Sequence, residues 1–91
     1  MEWFDAEAVS VVNLDGSDPA KPESMKAVPR LVAYRLPRST WWGTYCVLTN
    51  EVIPEMAPYW PSREEAKRRV VEYALKTLSE PWLSAVRNIR T

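Results

Sequence analysis

Residues able to do chemistry are few in this sequence. It has no histidine and one cysteine, Cys46. It therefore lacks the side chain that most often moves a proton near neutral pH, and no His/Cys ligand set exists for zinc or an iron–sulfur cluster. Its only glycines are Gly16 and Gly43, so no glycine-rich loop can cradle a phosphate. Glu51 and Glu55 would share a face only on a helix, and the intervening Val52, Ile53 and Pro54 argue for extended chain. Serines, threonines and aspartates are scattered without a nucleophile motif. The expectation is a protein that is not an enzyme, with no catalytic residues, no cofactor and no metal.

Two groups of residues could instead bind a macromolecule. The first is aromatic: the adjacent pairs Trp41-Trp42 and Tyr59-Trp60, with Arg38 nearby. Neighbours in a strand point to opposite faces, so one of Trp41 and Trp42 enters the core and the other cannot enter the same one. A tryptophan left outside is either covered by residues 1–14 or free to anchor a partner, and Trp and Arg dominate binding hot spots. The second group is basic: Arg63, Lys67, Arg68 and Arg69, followed by Arg87 and Arg90. Such a run could contact phosphates. On a helix, though, Glu64–Arg68, Glu65–Arg69 and Glu72–Lys76 are spaced i, i+4 in the favourable order, so much of the charge can neutralise itself.

These residues need elements to hold them. Residues 7–14 are rich in β-branched side chains and stop at Asp15-Gly16, which predicts a strand and a turn. The proline-containing stretch 17–29 is a loop, with room for a short helical turn at 22–27. Strands follow at 31–36, 41–49 and 52–56, with Pro54 placing the last at an edge or a bulge. Ser62-Arg63-Glu64-Glu65 has the pattern of a capping box and opens a helix over 62–79. At 100° per residue Ala66, Val70, Val71, Ala74 and Leu78 line its apolar side. Pro81 ends that run, and a short helix over 80–90 presents Trp82, Leu83, Val86 and Ile89 on one face.

The chain of 91 residues carries twelve acids and twelve bases, with 11% aromatics. A balanced charge weighs against nucleic-acid binding by bulk electrostatics. Yet residues 1–29 hold six acids and two bases, while 62–91 hold four acids and seven bases. An acidic arm could lie near the basic tail, either as a fold contact or as self-shielding of a basic surface. A lone cysteine fits a reducing compartment, the N-terminal residues lack a signal-peptide pattern, and no apolar run is long enough to span a bilayer. The expected setting is the cytoplasm, without membrane contact.

Tyr45 to Asn50 (Tyr-Cys-Val-Leu-Thr-Asn), Ser62 to Lys67 (Ser-Arg-Glu-Glu-Ala-Lys) and Val70 to Leu75 (Val-Val-Glu-Tyr-Ala-Leu) together resemble the C-terminal half of a double-stranded-RNA-binding domain. The resemblance implies an α-β-β-β-α fold, a first helix near Pro22–Val28, and phosphate contacts from Arg63 and Lys67. Glu64 and Glu51 stand where that family has a lysine and a glycine.

The sequence thus predicts one α+β domain over 1–91: a small antiparallel sheet of three to four strands, packed by one main C-terminal helix, plus a short terminal helix. The first functional expectation is a protein–protein interaction module, accessory, regulatory or inhibitory and of the kind viruses also encode, using Trp41, Trp42, Tyr59, Trp60 and Arg38. The alternative is binding of double-stranded RNA or DNA through Arg63, Lys67, Arg68, Arg87 and Arg90. Homodimer formation through the Pro54 edge or the Trp82 helix is a third.

Overall fold

The structure, a computed structural model, describes residues 1–21, 29–48 and 59–89, together with the backbone of 51–53. Val9–Asn13 (β2), Arg30–Arg35 (β3) and Trp42–Leu48 (β4) are rich in β-branched and aromatic residues, and the period of two of a strand sends alternate side chains to opposite faces of the sheet. Phe4–Asp5 (β1) and Glu51–Ile53 (β5) extend the sheet on either side. All neighbours pair antiparallel, in the order β1-β2-β3-β4-β5.

The register sets Ser10, Ala33 and Thr44 in one row and Val12, Leu31 and Cys46 in the next. All six are buried. Over them lies α1, Arg63–Thr77, whose Ala66, Val70 and Ala74, followed by the capping Leu78, form a buried stripe at intervals of four. The first row is small side chains only, which lets the first turns of α1 sit close to the sheet. Near Leu78 the core is closed by α2, Trp82–Arg87, through buried Val86 with Trp82, Ala85 and Ile89 packed around it.

The start of α1 follows from Ser62. Its hydroxyl accepts the Glu65 amide at 3.2 Å, satisfying one of the orphan donors of a helix N-terminus. The reciprocal half of the expected capping box is taken by stronger partners. The Glu65 carboxylate binds Arg68 at 2.7 Å and Arg69 at 2.9 Å, and two guanidiniums outcompete one backbone amide.

The fold is the expected α+β arrangement, with small adjustments. The strand expected over 7–14 begins at Val9, because Ala6 to Ala8 turn the chain back from β1, a two-residue strand too short to leave a pattern. Ala85, not Leu83, joins Trp82, Val86 and Ile89 on the core. The turn expected at 22–27 and residues 54–56 lie outside the described residues.

Candidate partner-binding site

The aromatic pairs are positioned by the β3–β4 hairpin. Leu36 donates its amide to the Trp41 carbonyl at 2.9 Å, and Ser39 donates to the Leu36 carbonyl at 3.2 Å. Pro37 supplies the fixed φ that the second position of such a turn prefers. Arg38, at the third, adopts φ 56°, a left-handed conformation that suits glycine better than an arginine. The Ser39 hydroxyl then accepts the Trp41 amide at 3.0 Å.

Immediately after the turn the chain is clasped from the far side. Trp42 and Trp60 exchange two backbone hydrogen bonds, each of 2.8 Å. Their side chains share the α1 side of this short ribbon. Trp42 is buried with Ala33 and Ala66, and Trp60 packs against them. The Arg63 guanidinium lies 4.7 Å from the Trp42 ring centre and that of Arg69 4.8 Å from the Trp60 ring, both within cation–π range.

Alternation turns the preceding residue of each pair the other way. Trp41 is 49% exposed and Tyr59 42%. They are diagonal neighbours across the Trp42–Trp60 bridge, a relation that separates residues by about 7 Å. Leu36 stands opposite Trp41 on the same side, with exposed Arg38 at the tip of the turn. Of the five expected partner-binding residues, the structure therefore brings Arg38, Trp41 and Tyr59 to one surface corner. Trp42 and Trp60 are the inner halves of their pairs and hold that corner in place.

The basic residues of α1 have other engagements. The N-terminal arm crosses the start of the helix, and its Asp5 carboxylate meets Lys67 Nζ at 3.2 Å and Arg63 at 4.0 Å. Arg63 also donates to the Glu7 carbonyl at 2.6 Å. Lys67 is only 7% exposed, lies 5.3 Å from the Trp3 ring centre and has Glu64 at 3.8 Å. Arg68 pairs with Glu65 and Glu72, Arg69 with the same two acids, and Arg87 with Glu80 at 4.0 Å. Arg90 lies outside the described residues. The intrahelical pairing differs in detail from the expected spacing: Glu65–Arg69 forms, Glu64 goes to Lys67, and Glu72 goes to Arg68 and Arg69 while Lys76 has no ion pair among the described residues.

The acidic arm was visible in the charge asymmetry, but not that Asp5 would be its contact. Burial alone would raise the Asp5 pKa; the nearby Ser10 hydroxyl, the hydrogen-bonded Lys67 ammonium and the charge of Arg63 outweigh it and hold the carboxyl below its usual 3.8.

For catalysis the geometry offers little. Cys46 is buried in the core, and desolvation pushes its thiol up to about 11, away from thiolate chemistry. Among the described residues no three His, Cys, Asp or Glu side chains gather as a metal site. A cleft of about 370 Å³ between the first four residues and the Asn13–Pro19 turn is lined by Glu2, Asn13, Ser17 and Asp18, and the Ser17 hydroxyl there donates to the Asp15 carboxylate at 2.6 Å as part of the turn. Among the described residues no helix is long and apolar enough to cross a membrane.

Compared with protein families, with curated proteins and with solved structures, the chain matches none of them.

Proposed function

We propose that the protein is a non-catalytic interaction module that docks on a protein partner through the corner formed by Arg38, Trp41 and Tyr59. One observation carries this reading: each aromatic pair is split, with Trp42 and Trp60 clasped inward and Trp41 and Tyr59 about half exposed beside each other. Trp, Tyr and Arg are the residue types that dominate hot spots. Arg38 and Trp41 stand on the hydrogen-bonded β3–β4 turn and Tyr59 precedes the Trp42–Trp60 bridge, and backbone that is already hydrogen-bonded loses less freedom on docking. A module of this kind suits an accessory, regulatory or inhibitory role, in which occupying a surface is the activity.

Nucleic-acid binding through α1 draws less support. Arg63, Lys67, Arg68 and Arg69 already have acidic or aromatic partners within the chain, and phosphates would have to displace them.

Affinity capture with the wild-type chain and with a Trp41→Ser/Tyr59→Ser variant tests the proposal, both proteins first being matched by amide NMR dispersion. The expected result is a partner held by the wild type and lost by the folded variant. A partner held equally by both, or no partner for either, overturns it.

A further inference from the structure

The sheet face that carries Trp41 has a gap among its aromatic rings. Trp41, Gly43 and Tyr45 follow one another at intervals of two along the side of β4 away from α1. Tyr34 pairs with Gly43 from β3, and the antiparallel Trp42–Trp60 bridge brings Tyr59 to the other flank of Gly43. Four rings therefore surround a position with no side chain, and Gly43 is the buried floor between them. We infer that this face takes a proline-rich segment in the polyproline II conformation. The inference rests on the docking reading above and adds the partner's chemistry to it.

Hydrogen-bonding polarity is the first argument. The backbone of the corner is already engaged. The Trp41 amide donates to the Ser39 hydroxyl, the Trp41 carbonyl accepts the Leu36 amide, and Trp42 and Trp60 use each other. A partner strand cannot add there, so recognition falls to side chains. The Trp41 indole and the Arg38 guanidinium can only donate, and tyrosine hydroxyls can donate or accept. Residues 29–48 contain no Asp or Glu. The fitting ligand is one rich in acceptors. Strands and helices use their carbonyls within their own hydrogen-bond patterns, whereas a polyproline II segment leaves every carbonyl unpaired and its prolines have no N–H to satisfy.

Spacing is the second. Tyr34 and Tyr59 stand two strand separations apart, about 10 Å, with the gap at Gly43 between them. A polyproline II helix has three residues per turn at about 3.1 Å each, so it repeats in roughly 9 Å. Laid across the strands, such a segment sets one proline ring in the gap and holds its neighbours against the rings on either side. This is the aromatic-lined docking that proline-rich segments use.

A single nucleic-acid strand is the competing ligand, since bases stack on exposed rings. Tyr34 and Tyr45 pack on each other, with ring centres 5.7 Å apart and planes tilted by 54°, so they wall the gap and do not form a stacking platform. A strand also needs a basic groove along its phosphates, where the turn brings Arg38.

The test uses the full chain as bait for phage-displayed random dodecapeptides, followed by titration of a synthetic peptide of the recovered type. The expected outcome is peptides enriched about twofold or more in proline, with prolines three residues apart. The synthetic peptide should bind a Trp41→Ser chain, matched to wild type by amide NMR dispersion, about tenfold more weakly, or by ~1.4 kcal/mol. It should lose a similar amount against the wild-type chain when its spaced prolines become alanines. Peptides that need Trp41 but show no proline enrichment overturn this inference and leave the docking reading standing. Recovery of no peptide does the same, since affinity capture of a folded partner decides the docking reading. Proline-rich peptides that bind the Trp41→Ser/Tyr59→Ser chain as tightly as wild type overturn the inference by placing their site elsewhere. A single-stranded decanucleotide that binds wild type more tightly than any recovered peptide, and needs Trp41, replaces the proline-rich segment with nucleic acid.

Discussion

Lys67 Nζ lies 3.2 Å from the carboxylate of Asp5, sixty-two positions away in the chain. A lysine only 7% exposed needs a counter-charge, because an ammonium withdrawn from water without one is strongly unfavourable. The N-terminal arm supplies it, with the Trp3 ring alongside. The arm is therefore held by the charge requirement of α1 as much as by the two-residue strand β1.

Asp5→Asn should cost about 1–2 kcal/mol, more than the ~0–1 kcal/mol of an ordinary surface pair, because it strands a mostly buried cation. Adding Lys67→Met to Asp5→Asn should recover most of that loss, since an apolar side chain of similar length needs no partner. Urea unfolding of the two single variants and the double variant measures both.

The same pair sets an acid dependence. The folded pKa of Asp5 is below its ordinary value of 3.8, so its contribution to stability is complete above pH 3.8 and is lost as the pH falls through the lower folded value. Melting temperatures taken from pH 7 down to pH 2.5 should fall more steeply below pH 4 for wild type than for Asp5→Asn. Parallel curves for the two proteins would remove Asp5 from the account.

The tryptophan pair predicts two opposite outcomes one residue apart. Trp42→Ala removes a ring 6% exposed and should cost about 3–5 kcal/mol, the range for emptying a large aromatic site. Trp41→Ala should cost less than about 1 kcal/mol, as a half-exposed substitution away from the core. Equal destabilisation, measured by chemical denaturation, would contradict the assignment of inner and outer rings.

Two substitutions probe the backbone. Ser62→Ala removes the cap on the Glu65 amide and should destabilise by about 1 kcal/mol. Arg38→Gly relieves a left-handed residue and should stabilise by about 1 kcal/mol. Thermal melts distinguish the two by sign.

The helix α1 could be read almost completely from sequence, because its cap is local and its stripe of Ala66, Val70, Ala74 and Leu78 follows one period. Lys67 could not. Helical spacing leaves it at the margin of the stripe, and what buries it is an arm sixty-two residues away. For Trp41 and Trp42, alternation said that one ring goes in and one stays out, but bulky residues on both faces of that strand left the choice open. The choice is visible only in the pairing of Trp42 with Trp60, a contact that no local pattern encodes. The break between the strands expected at 31–36 and 41–49 contains the turn, but its left-handed residue at Arg38 could not be read, since glycine is what announces that conformation in a sequence.

Because the split of the aromatic pairs leaves Trp41 as the one exposed indole of five, the molecule contains its own optical probe. Trp3, Trp42 and Trp60 each lie against a cationic side chain, and Trp82 is packed on the core. A collisional quencher dissolved in the buffer reaches Trp41 first. The red edge of the unlabelled protein's emission should therefore be quenched selectively, and whatever covers the corner should restore it in proportion to occupancy.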